Sequence, residues 1–367
     1  MTSEFILIIF ILLFIITYSS ILASFNLNKF IASSQIELDS EGSLNFSIVI
    51  AAKNESNNLR SLISSLKSLH YPEDKFEIVI VDDESDDDTY SLAQKLCADL
   101  RNCYIIKAAD KKFEGKRGAL DIGIQNSNNP YILITDADCS PEKDWLKICS
   151  KKFSEEGYDL ILGIAPFYQT GNLVNKISCY ENFRNSILAF AAVNLGVAYT
   201  ASSRNFGFKK EAFQKIGGYK NTTDTISGDD DLLLREAVRH KLKIGTITSP
   251  GSFVYSHSRT SFKDYFSQRA RHTQTSPHYL LKQRLFLATW HSLNIIFLLS
   301  PVLISMSIIF IIPFGIKILF DVTVCKVQQK KFRYKFSIIE SIYLQFIYEM
   351  FLIIHIIRSK TTTIKWK

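Results

Sequence analysis

Paired and clustered carboxylates are the residues of this sequence whose types and spacing could do chemistry. Asp136 and Asp138 are separated by one residue and directly follow the run 131–135, which is a predicted strand. Two carboxylates with this spacing after a buried strand point to the same side and can share Mg²⁺ or Mn²⁺, which prefer oxygen ligands. The alternative is a capped turn that leads into a helix at Pro141, with Asp138 or Ser140 as its N-cap. The spacing alone leaves both interpretations open.

A second acidic group follows another apolar run. Asp82 and Asp83 come directly after residues 76–81 and open an acidic stretch that continues to Asp88. Ligands of open α/β sheets bind beyond the carboxyl ends of the strands, so both groups stand where a binding site is expected. In a chain with 36 acidic residues, chance clustering at two such strand ends is the weaker explanation.

Asp229, Asp230 and Asp231 form a third group, in front of the helical pattern 232–240. One carboxylate is enough to interact with the helix dipole, because that gain is about 0.3–1 kcal/mol per charge and fades within a turn. Adjacent carboxylates raise one another's pKa, which helps one of them accept a proton from a hydroxyl near neutral pH. We therefore expect a general base in this group.

The elements that must position these groups alternate between strand and helix patterns. Short β-branched runs alternate with segments whose apolar residues recur at helical spacing. The strands are expected at 46–52, 76–81, 104–106 and 131–135, and the helices at 55–69, 89–100, 115–125 and 232–240. This alternation predicts an α/β fold with a mostly parallel sheet between helices.

Several separated stretches along residues 46–275 resemble, in order, the family 2 glycosyltransferases. They are the opening strand and turn at 47–55, the nucleotide-binding aspartate motif at 81–89, the basic loop at 115–120, the D-x-D pair at 136–138 and the segment of the catalytic base at 228–232. Glu84 stands where glycine is common, and Gly228 replaces the usual glutamate. The resemblance implies the GT-A nucleotide-sugar-binding fold, as in membrane-bound glycosyltransferases of the bacterial cell envelope.

The resemblance also implies roles for individual residues. Asp82 or Asp83 would accept a hydrogen bond from a uracil ring, and Asp138, assisted by Asp136, would bind a divalent cation on the diphosphate. Asp229 would be the catalytic base, with Asp230 in reserve. The other donor-binding residues implied are Glu55, Lys116 and Arg117, although Lys and Arg at the start of a helix are commonly solvated.

Gln268 and Arg271 lie in a stretch that resembles the Q-x-x-R-W motif of membrane-embedded synthases, whose arginine meets the diphosphate or the acceptor. His272 replaces the tryptophan, which removes a stacking surface for a growing glycan. The predicted reaction is therefore a single inverting transfer from a nucleotide-diphosphate sugar, UDP-linked by the resemblance, to a lipid-linked or glycan acceptor. The alternatives are a processive polysaccharide synthase and, from another class, an inactive nucleotide-sugar-binding membrane scaffold.

Apolar runs at both ends of the chain predict N-terminal and C-terminal transmembrane helices. Residues 5–25 carry no charge over about twenty residues, the length that crosses the hydrocarbon core. Residues 285–320 are long enough for two spans with a turn at Ser300, whereas 336–357 carries polar residues and could span or lie in the interface. The predicted domains are an anchor (1–28), a linker (29–44), the GT-A catalytic domain (45–260), a basic amphipathic interface segment (261–284), a transmembrane hairpin (285–322), a basic cytoplasmic loop (323–335), a third membrane or interfacial helix (336–357) and a basic tail (358–367).

The net charge of +7 comes mostly from Lys and Arg beside the apolar segments, which favours a membrane surface over a nucleic-acid partner. These charges place the catalytic domain in the cytoplasm, in a multi-pass protein of a bacterial-type inner (cytoplasmic) membrane. The basic tail agrees with this orientation only if the last apolar stretch does not fully cross. The six cysteines show no metal-binding spacing, so reduced and mostly buried thiols are expected.

Overall fold

The computed structural model describes residues 2–26 and 44–361, whose contacts cluster into two compact units. The sheet unit comprises the described residues 44–168 and 199–258. The helical unit comprises residues 2–26, 169–198 and 259–361. The domain boundaries predicted from the sequence stay predictions, and residues 29–43 of the linker and 362–367 of the tail lie outside the described residues.

The helices of the described residues are distributed over both units. In chain order they are α1 Thr2–Asn26, α2 Leu59–Lys67, α3 Thr89–Ala98, α4 Lys116–Gln125, α5 Trp145–Glu156, α6 Leu173–Asn194, α7 Lys210–Lys215, α8 Asp231–Arg239, α9 Phe262–Thr273, α10 Leu281–Leu299, α11 Ile311–Gln328 and α12 Ile338–Thr361. Helices α1, α6 and α9 to α12 belong to the helical unit, and the others belong to the sheet unit.

The sheet unit contains a seven-stranded sheet and a two-stranded ribbon. The strands are β1 Phe46–Ala52, β2 Phe76–Asp82, β3 Cys103–Lys107, β4 Tyr131–Ile134, β5 Cys139–Pro141, β6 Leu160–Gly163, β7 Phe206–Lys209, β8 Ile244–Ile247 and β9 Val254–Ser256. The large sheet has the order β3-β2-β1-β4-β7-β6-β8, and β5 pairs with β9. Strands β1 to β4 pair in parallel, whereas β7 runs antiparallel to both of its neighbours. The predicted α/β fold with a mostly parallel sheet is confirmed.

The core of the sheet unit forms because its central strands bury both faces. Nearly every side chain of β1 is buried, as expected for an apolar, β-branched strand inside a parallel sheet. The amphipathic α2 turns its four leucine and isoleucine side chains into this core. On α4, Gly123 permits close packing, since a Cβ there would lie 2.5 Å from Cγ1 of Val49 on β1. This packing fixes the strand ends from which the functional residues extend.

Four segments of the helical unit are long and apolar enough to cross a membrane. They are Leu7–Asn26, Leu281–Leu303, Ile308–Phe332 and Ile338–Thr361. The helix break expected at Ser300 is present, because α10 ends at Leu299 and a turn of 3₁₀ helix follows. The last segment, which the sequence left undecided, also meets the length and composition of a membrane span.

Buried charges join the helices of the helical unit. Arg184 on α6 donates to Asp321 on α11 over 3.0 Å and to the hydroxyl of Tyr18 on α1 over 2.9 Å. Lys317 and the Tyr18 hydroxyl also donate to the Asp321 carboxylate. Both oxygens of Asp321 therefore have donors, which is the condition under which a charge is tolerated inside an apolar bundle.

The prediction of six reduced cysteines is wrong for one pair. Cys97, near the end of α3, forms a disulfide with Cys103, the first residue of β3. The two Cα atoms lie 4.9 Å apart, within the usual range for such a bridge, because a tight turn separates α3 from β3. The free cysteines are buried, as predicted: Cys139, Cys149, Cys179 and Cys325.

Candidate active site at the carboxyl edge of the sheet

The acidic groups found in the sequence lie at one edge of the sheet unit. Strands β2, β1 and β4 are parallel neighbours, so the segments that follow them leave from the same edge. Asp82 ends β2 opposite Ala52 of β1, and Asp136 follows the end of β4. The third group reaches this edge through Lys116, which lies between Asp136 and Asp229. Residues distant in the sequence thus form one polar cluster.

Asp82 and Asp83 have different surroundings at the end of β2. Asp83 accepts a hydrogen bond from Nζ of Lys111 over 2.7 Å. Lys111 also donates to Glu84 over 3.0 Å, and this bond lowers the pKa of Glu84. Asp82 is buried, and its Oδ1 has no hydrogen-bond partner among the described residues. A buried carboxylate oxygen without a donor is an acceptor for a bound ligand.

The backbone conformation of Glu84 explains why glycine is common at this position of the motif. Its φ of 57° lies in the left-handed region, where glycine is accommodated without a steric cost. Glycine is the residue common at this position in the family that the sequence resembles. The loop therefore keeps the turn geometry that the motif requires, and the Glu84 side chain contacts Lys111.

The acidic stretch after β2 is held against the turn that follows β1. The Glu55 N–H donates to the Thr89 hydroxyl over 2.7 Å, and the Ser56 hydroxyl donates to Asp87 over 2.7 Å. Desolvation opposes ionisation of Asp87, but its hydrogen bonds from Thr89 and Ser56 prevail and lower its pKa to about 2. Asp87 is therefore ionised at neutral pH, and the protein's own groups fix the loop.

Lys116 is the buried cation at the centre of the cluster. Its Nζ donates to Asp136 over 2.5 Å and to the Ser203 hydroxyl over 2.7 Å, and lies 3.6 Å from Oδ2 of Asp229. Burial acts to lower the pKa of Lys116, but the charges of Asp136 and Asp229 outweigh burial and raise it. Burial likewise acts to raise the pKa of Asp136, and the Lys116 ammonium outweighs it and lowers that pKa.

The D-x-D pair offers a donor set that fits a hard divalent cation. Oxygens of Asp136 and Asp138 and the sulfur of Cys139 lie within 4.8 Å of one another. Burial, followed by the charges of Asp136 and Glu55, raises the pKa of Asp138. Burial and the Asp138 charge raise the pKa of Cys139 well above its usual value, so its thiol stays protonated and is a poor ligand. The carboxylates are the ligands that Mg²⁺ and Mn²⁺ prefer.

The alternative interpretation of Asp138 as a helix N-cap is wrong. The residues after it form β5, which pairs with β9 in the ribbon. The next helix, α5, begins only at Trp145, with Asp144 as its N-cap. The sequence pattern did not reveal this strand, because three residues are too few to show the alternation of a strand.

The three adjacent aspartates before α8 have different partners. Asp231 accepts from the Thr200 hydroxyl over 2.7 Å, and Asp230 accepts from the N–H of Ser203 over 2.8 Å. Burial, and then the charges of Asp231 and Asp229, raise the pKa of Asp230 well above its usual value. Asp229 is the member of the group that forms an ion pair with Lys116, which also binds Asp136 of the D-x-D pair.

Arg117 contacts the segment that leads to these aspartates. Its NH2 group donates to the carbonyl oxygens of Thr225 and Ser227, each over 3.1 Å. Burial lowers the pKa of Arg117, and the Asp229 charge opposes this effect. The predicted contact of Arg117 with a nucleotide stays a prediction. Its observed contacts position the backbone just before Asp229.

Gln268 and Arg271 lie on α9, which belongs to the helical unit. Their neighbour Arg269 forms an ion pair with Glu181 on α6, with Nε 2.9 Å from Oε2. The Tyr265 hydroxyl donates to the same carboxylate over 2.6 Å. These contacts hold α9 within its own unit, and the roles of Gln268 and Arg271 in catalysis stay predictions.

Sequence reasoning missed Ser203 and Arg204, which precede β7. The Ser203 hydroxyl lies 3.3 Å from Oδ1 of Asp136. The Arg204 guanidinium lies over the ring of Phe167, 4.3 Å from its centroid. No pattern marks these residues, because they come before an antiparallel strand instead of after a parallel one. Only the order of strands in the sheet reveals their position beside the D-x-D pair.

A mostly parallel sheet with a D-x-D pair and a second aspartate group at its carboxyl edge defines a nucleotide-sugar-binding domain of the GT-A class. The solved structure of mannosyltransferase PcManGT from Pyrobaculum calidifontis, in complex with GDP-Man and Mn²⁺, has this fold. It aligns with a TM-score of 0.56 and 15% identity, over 96% of this chain and 97% of that chain. This likeness concerns the fold alone.

Residues 47–217 match the family model described as glycosyl transferase family 2. Glycosyltransferase AglE of Haloferax volcanii is 28% identical over 185 residues, which cover 50% of this chain and 58% of the relative. The chain thus spans less than two thirds of that relative's length. A second relative, from Methanococcus voltae, is 26% identical over 285 residues, which cover 73% of this chain and 84% of the relative. This relative is named dolichyl N-acetyl-alpha-D-glucosaminyl phosphate 3-beta-D-2,3-diacetamido-2,3-dideoxy-beta-D-glucuronosyltransferase. Residues 47–217 thus carry a family 2 glycosyltransferase domain, in agreement with the family resemblance of the sequence, and the predicted GT-A fold is confirmed.

Proposed function

We propose that the protein transfers a sugar from a UDP-sugar to a lipid-linked or glycan acceptor, with inversion at the anomeric carbon. The observation that carries this proposal is the cluster in which Lys116 joins Asp136 of the D-x-D pair to Asp229 of the third acidic group. A cation on the donor diphosphate and a base for the acceptor hydroxyl would then act at neighbouring positions. Holding both reactants in this way is a large part of what such an enzyme contributes.

Asp82 supports recognition of the nucleobase. Its buried Oδ1, which has no partner among the described residues, is an acceptor for the ring N–H of uracil. Asp83 is the second candidate, although Lys111 already donates to its carboxylate. Glu55, Lys116 and Arg117 are proposed to complete the donor site.

Asp138 and Asp136 are proposed to hold the divalent cation, Mg²⁺ or Mn²⁺. Such a cation, when bound, neutralises charge on the diphosphate of the donor. The close carboxylates support this role, because a cation relieves the repulsion that contributes to the raised pKa of Asp138.

Asp229 is proposed as the general base, and Asp230 is the alternative candidate. It would accept the proton of the acceptor hydroxyl while that oxygen bonds to the anomeric carbon of the sugar. In the same step the bond from this carbon to the phosphate oxygen breaks, and the nucleoside diphosphate leaves with the electron pair. Direct displacement inverts the anomeric configuration. Gln268 and Arg271 on α9 are proposed to contact the diphosphate or the acceptor.

The apolar helices support an acceptor at a membrane. Four segments meet the length and composition of membrane spans, and the Methanococcus relative's name contains a dolichyl phosphate-linked sugar. We place the protein in a bacterial-type inner membrane, as a multi-pass protein with its sheet unit in the cytoplasm. The basic residues of 259–284 and 326–335 favour this orientation, whereas the basic tail agrees with it only if the last apolar segment does not fully cross.

The test uses membranes that contain the full chain and a panel of labelled UDP- and GDP-sugars, with Mn²⁺ or with EDTA. We expect label from a UDP-sugar in the lipid extract only when Mn²⁺ is present. The matched control is Arg101→Met, which alters an exposed turn of the same unit. Transfer that persists in EDTA would contradict the role of the cation, and absence of transfer from every donor would contradict the activity. A long product on a gel would instead favour a processive synthase.

A further inference from the structure

Arg204 differs in its contacts from other arginines of the sheet unit. Arg117 donates to two backbone carbonyls, and Arg235 forms an ion pair with Glu236 at 2.9 Å. Such partners satisfy a buried cation and fix a segment of the fold. Arg204 instead donates to two hydroxyl groups, which carry no formal charge.

Three contacts fix the orientation of the Arg204 guanidinium. NH1 donates to the Ser256 hydroxyl over 2.6 Å, and Nε donates to the Ser202 hydroxyl over 3.3 Å. The guanidinium carbon lies over the Phe167 ring, 4.3 Å from its centroid. Among the described residues no carboxylate forms an ion pair with Arg204. The guanidinium interacts electrostatically with Asp136 and Asp138, but neither forms an ion pair with it. The side chain is therefore oriented in advance by neutral groups, and its N–H donors can still bind an anion.

The elements that hold Arg204 place it beside the D-x-D pair. Ser256 on β9 pairs with Cys139 on β5, and Cys139 directly follows Asp138. On the other side, Ser203 precedes Arg204 and has its hydroxyl 3.3 Å from Asp136. A hydrogen-bond partner of Arg204 and its chain neighbour thus contact the two ends of the segment 136–139, which contains the D-x-D pair.

The chemistry of this position selects an anion. The carboxylates of Asp136, Asp138 and Asp229 would repel a phosphate group that approached without countercharge. A guanidinium presents a planar fork of N–H donors that matches phosphate oxygens and remains charged at any physiological pH. A phosphate is also the anion that either substrate of the proposed reaction can bring to this edge.

We propose that Arg204 binds a phosphate group beside the D-x-D pair, an inference that rests on the proposed function and deepens it. If the phosphate belongs to the donor, Arg204 stabilises the charge that develops on the departing nucleoside diphosphate, a role that the sequence alone suggested for Arg271. If the phosphate belongs to the acceptor, Arg204 selects lipids that carry a phosphate.

The experiment compares four variants of the full chain purified in detergent. Arg204→Met removes the charge and keeps an apolar stem, whereas Arg204→Lys keeps the charge without the planar fork. Ser256→Ala keeps the guanidinium and removes one group that orients it. Arg101→Met removes an exposed arginine of the same unit and serves as the control.

The first arm measures binding of UDP and of UMP by calorimetry in saturating Mn²⁺. If the phosphate is the donor's, Arg204→Met weakens UDP binding about tenfold or more relative to UMP binding, as loss of a charge-assisted contact implies. Arg204→Lys and Ser256→Ala should fall between wild type and Arg204→Met.

The second arm measures KM for a prenyl phosphate acceptor and for diacylglycerol in mixed micelles. If the phosphate is the acceptor's, Arg204→Met raises KM for the prenyl phosphate alone and leaves the UDP to UMP affinity ratio at its wild-type value. Each arm supports the inference with a different source of the phosphate.

The inference is overturned if Arg204→Met matches Arg101→Met in both arms. Should Arg204→Met fail to fold, as judged by its thermal melting, Arg204→Lys and Ser256→Ala decide the question, and wild-type behaviour of both overturns the inference. Wild-type protein that binds no UDP with Mn²⁺ would overturn the proposed function and this inference with it. Wild-type binding with an unaffected Arg204→Met overturns only the role of Arg204.

Discussion

Asp138 in the sheet unit is a half-buried carboxylate and Asp321 in the helical unit is a buried one, and their surroundings are opposite. Asp321 receives hydrogen bonds from Arg184, Lys317 and Tyr18, so donors reach both of its oxygens. Asp138 lies close to Asp136 and Glu55, and burial together with these like charges raises its pKa.

The difference separates a structural charge from one that awaits a ligand. A buried carboxylate surrounded by its own donors joins helices, and removing one partner of such a pair leaves an uncompensated charge. A carboxylate held beside other carboxylates experiences charge repulsion, and a bound cation would relieve this repulsion. The same side-chain type therefore acts as part of the scaffold in one unit and as a candidate metal ligand in the other.

The largest effect is expected for Asp229, the proposed general base in the sheet unit. Asp229→Asn should lower kcat by roughly 10²–10⁴-fold, because the acceptor hydroxyl loses its proton acceptor. Donor affinity should change little, since the amide keeps the size of the side chain. Transfer of labelled sugar and calorimetric donor binding, measured on the same preparation, check this expectation. Normal turnover by Asp229→Asn would show that Asp229 is not the general base and would leave Asp230 as the candidate.

A change in the helical unit should act on stability and not on donor binding. Asp321→Asn leaves the Arg184 and Lys317 charges without their counterion, at a cost of about 3 kcal/mol for breaking a buried pair. Thermal unfolding in detergent should show the loss, while Mn²⁺-dependent UDP binding at low temperature should match wild type. A loss of UDP affinity in a folded Asp321→Asn protein would break the contrast drawn between the two carboxylates.

A change of the candidate metal ligand Asp138 should, in contrast to Asp321→Asn, weaken donor binding and not lower stability. Asp138→Ala should remove the Mn²⁺-dependent part of UDP binding, which is about tenfold or more in affinity. The reason is that the cation then has one protein ligand fewer. Thermal stability without Mn²⁺ should rise or stay equal, since one of the mutually repelling carboxylates is gone. Calorimetry with and without Mn²⁺ measures the first effect and thermal melting the second. Unchanged Mn²⁺ dependence would refute the ligand role.

The smallest effect is expected in the loop after β2. Asp87→Ala removes the acceptor for Thr89 and Ser56 and should weaken UDP binding by a few-fold at most, because the carboxylate fixes the loop without being assigned to the ligand.

The pH dependence of the Asp87 contribution follows from its pKa. The folded pKa of about 2 lies below the ordinary value of about 3.9, so the stabilising contribution is fully present above the ordinary value. It is lost only as the pH falls toward 2. The difference between wild type and Asp87→Ala should therefore be constant between about pH 5 and pH 8. A difference that changes across this interval would show that another group controls the loop.

Much of the fold and part of the candidate site were predictable because their signals are local. The apolar run of β1 and the helical spacing of α2 lie within single segments, and the D-x-D pair follows directly from the end of β4. Parallel strands share a carboxyl edge, so the meeting of the first two acidic groups also followed from the pattern.

Other parts depended on contacts between distant segments. The sequence placed Lys116 and Arg117 together near a nucleotide, yet Lys116 bonds to Asp136 and Arg117 bonds to the backbone before Asp229. The disulfide of Cys97 depends on a turn whose closure no motif marks.

The sequence by itself determined the alternating elements, the apolar helices and the strand ends that carry carboxylates, because each depends on side-chain periodicity within a short stretch. The tertiary structure alone decided that Lys116 joins Asp229 to Asp136 of the D-x-D pair, and that Arg204 lies beside this pair. Those outcomes depend on β7 entering the sheet in the opposite direction next to β4, and such a pairing depends on contacts between residues far apart in the chain.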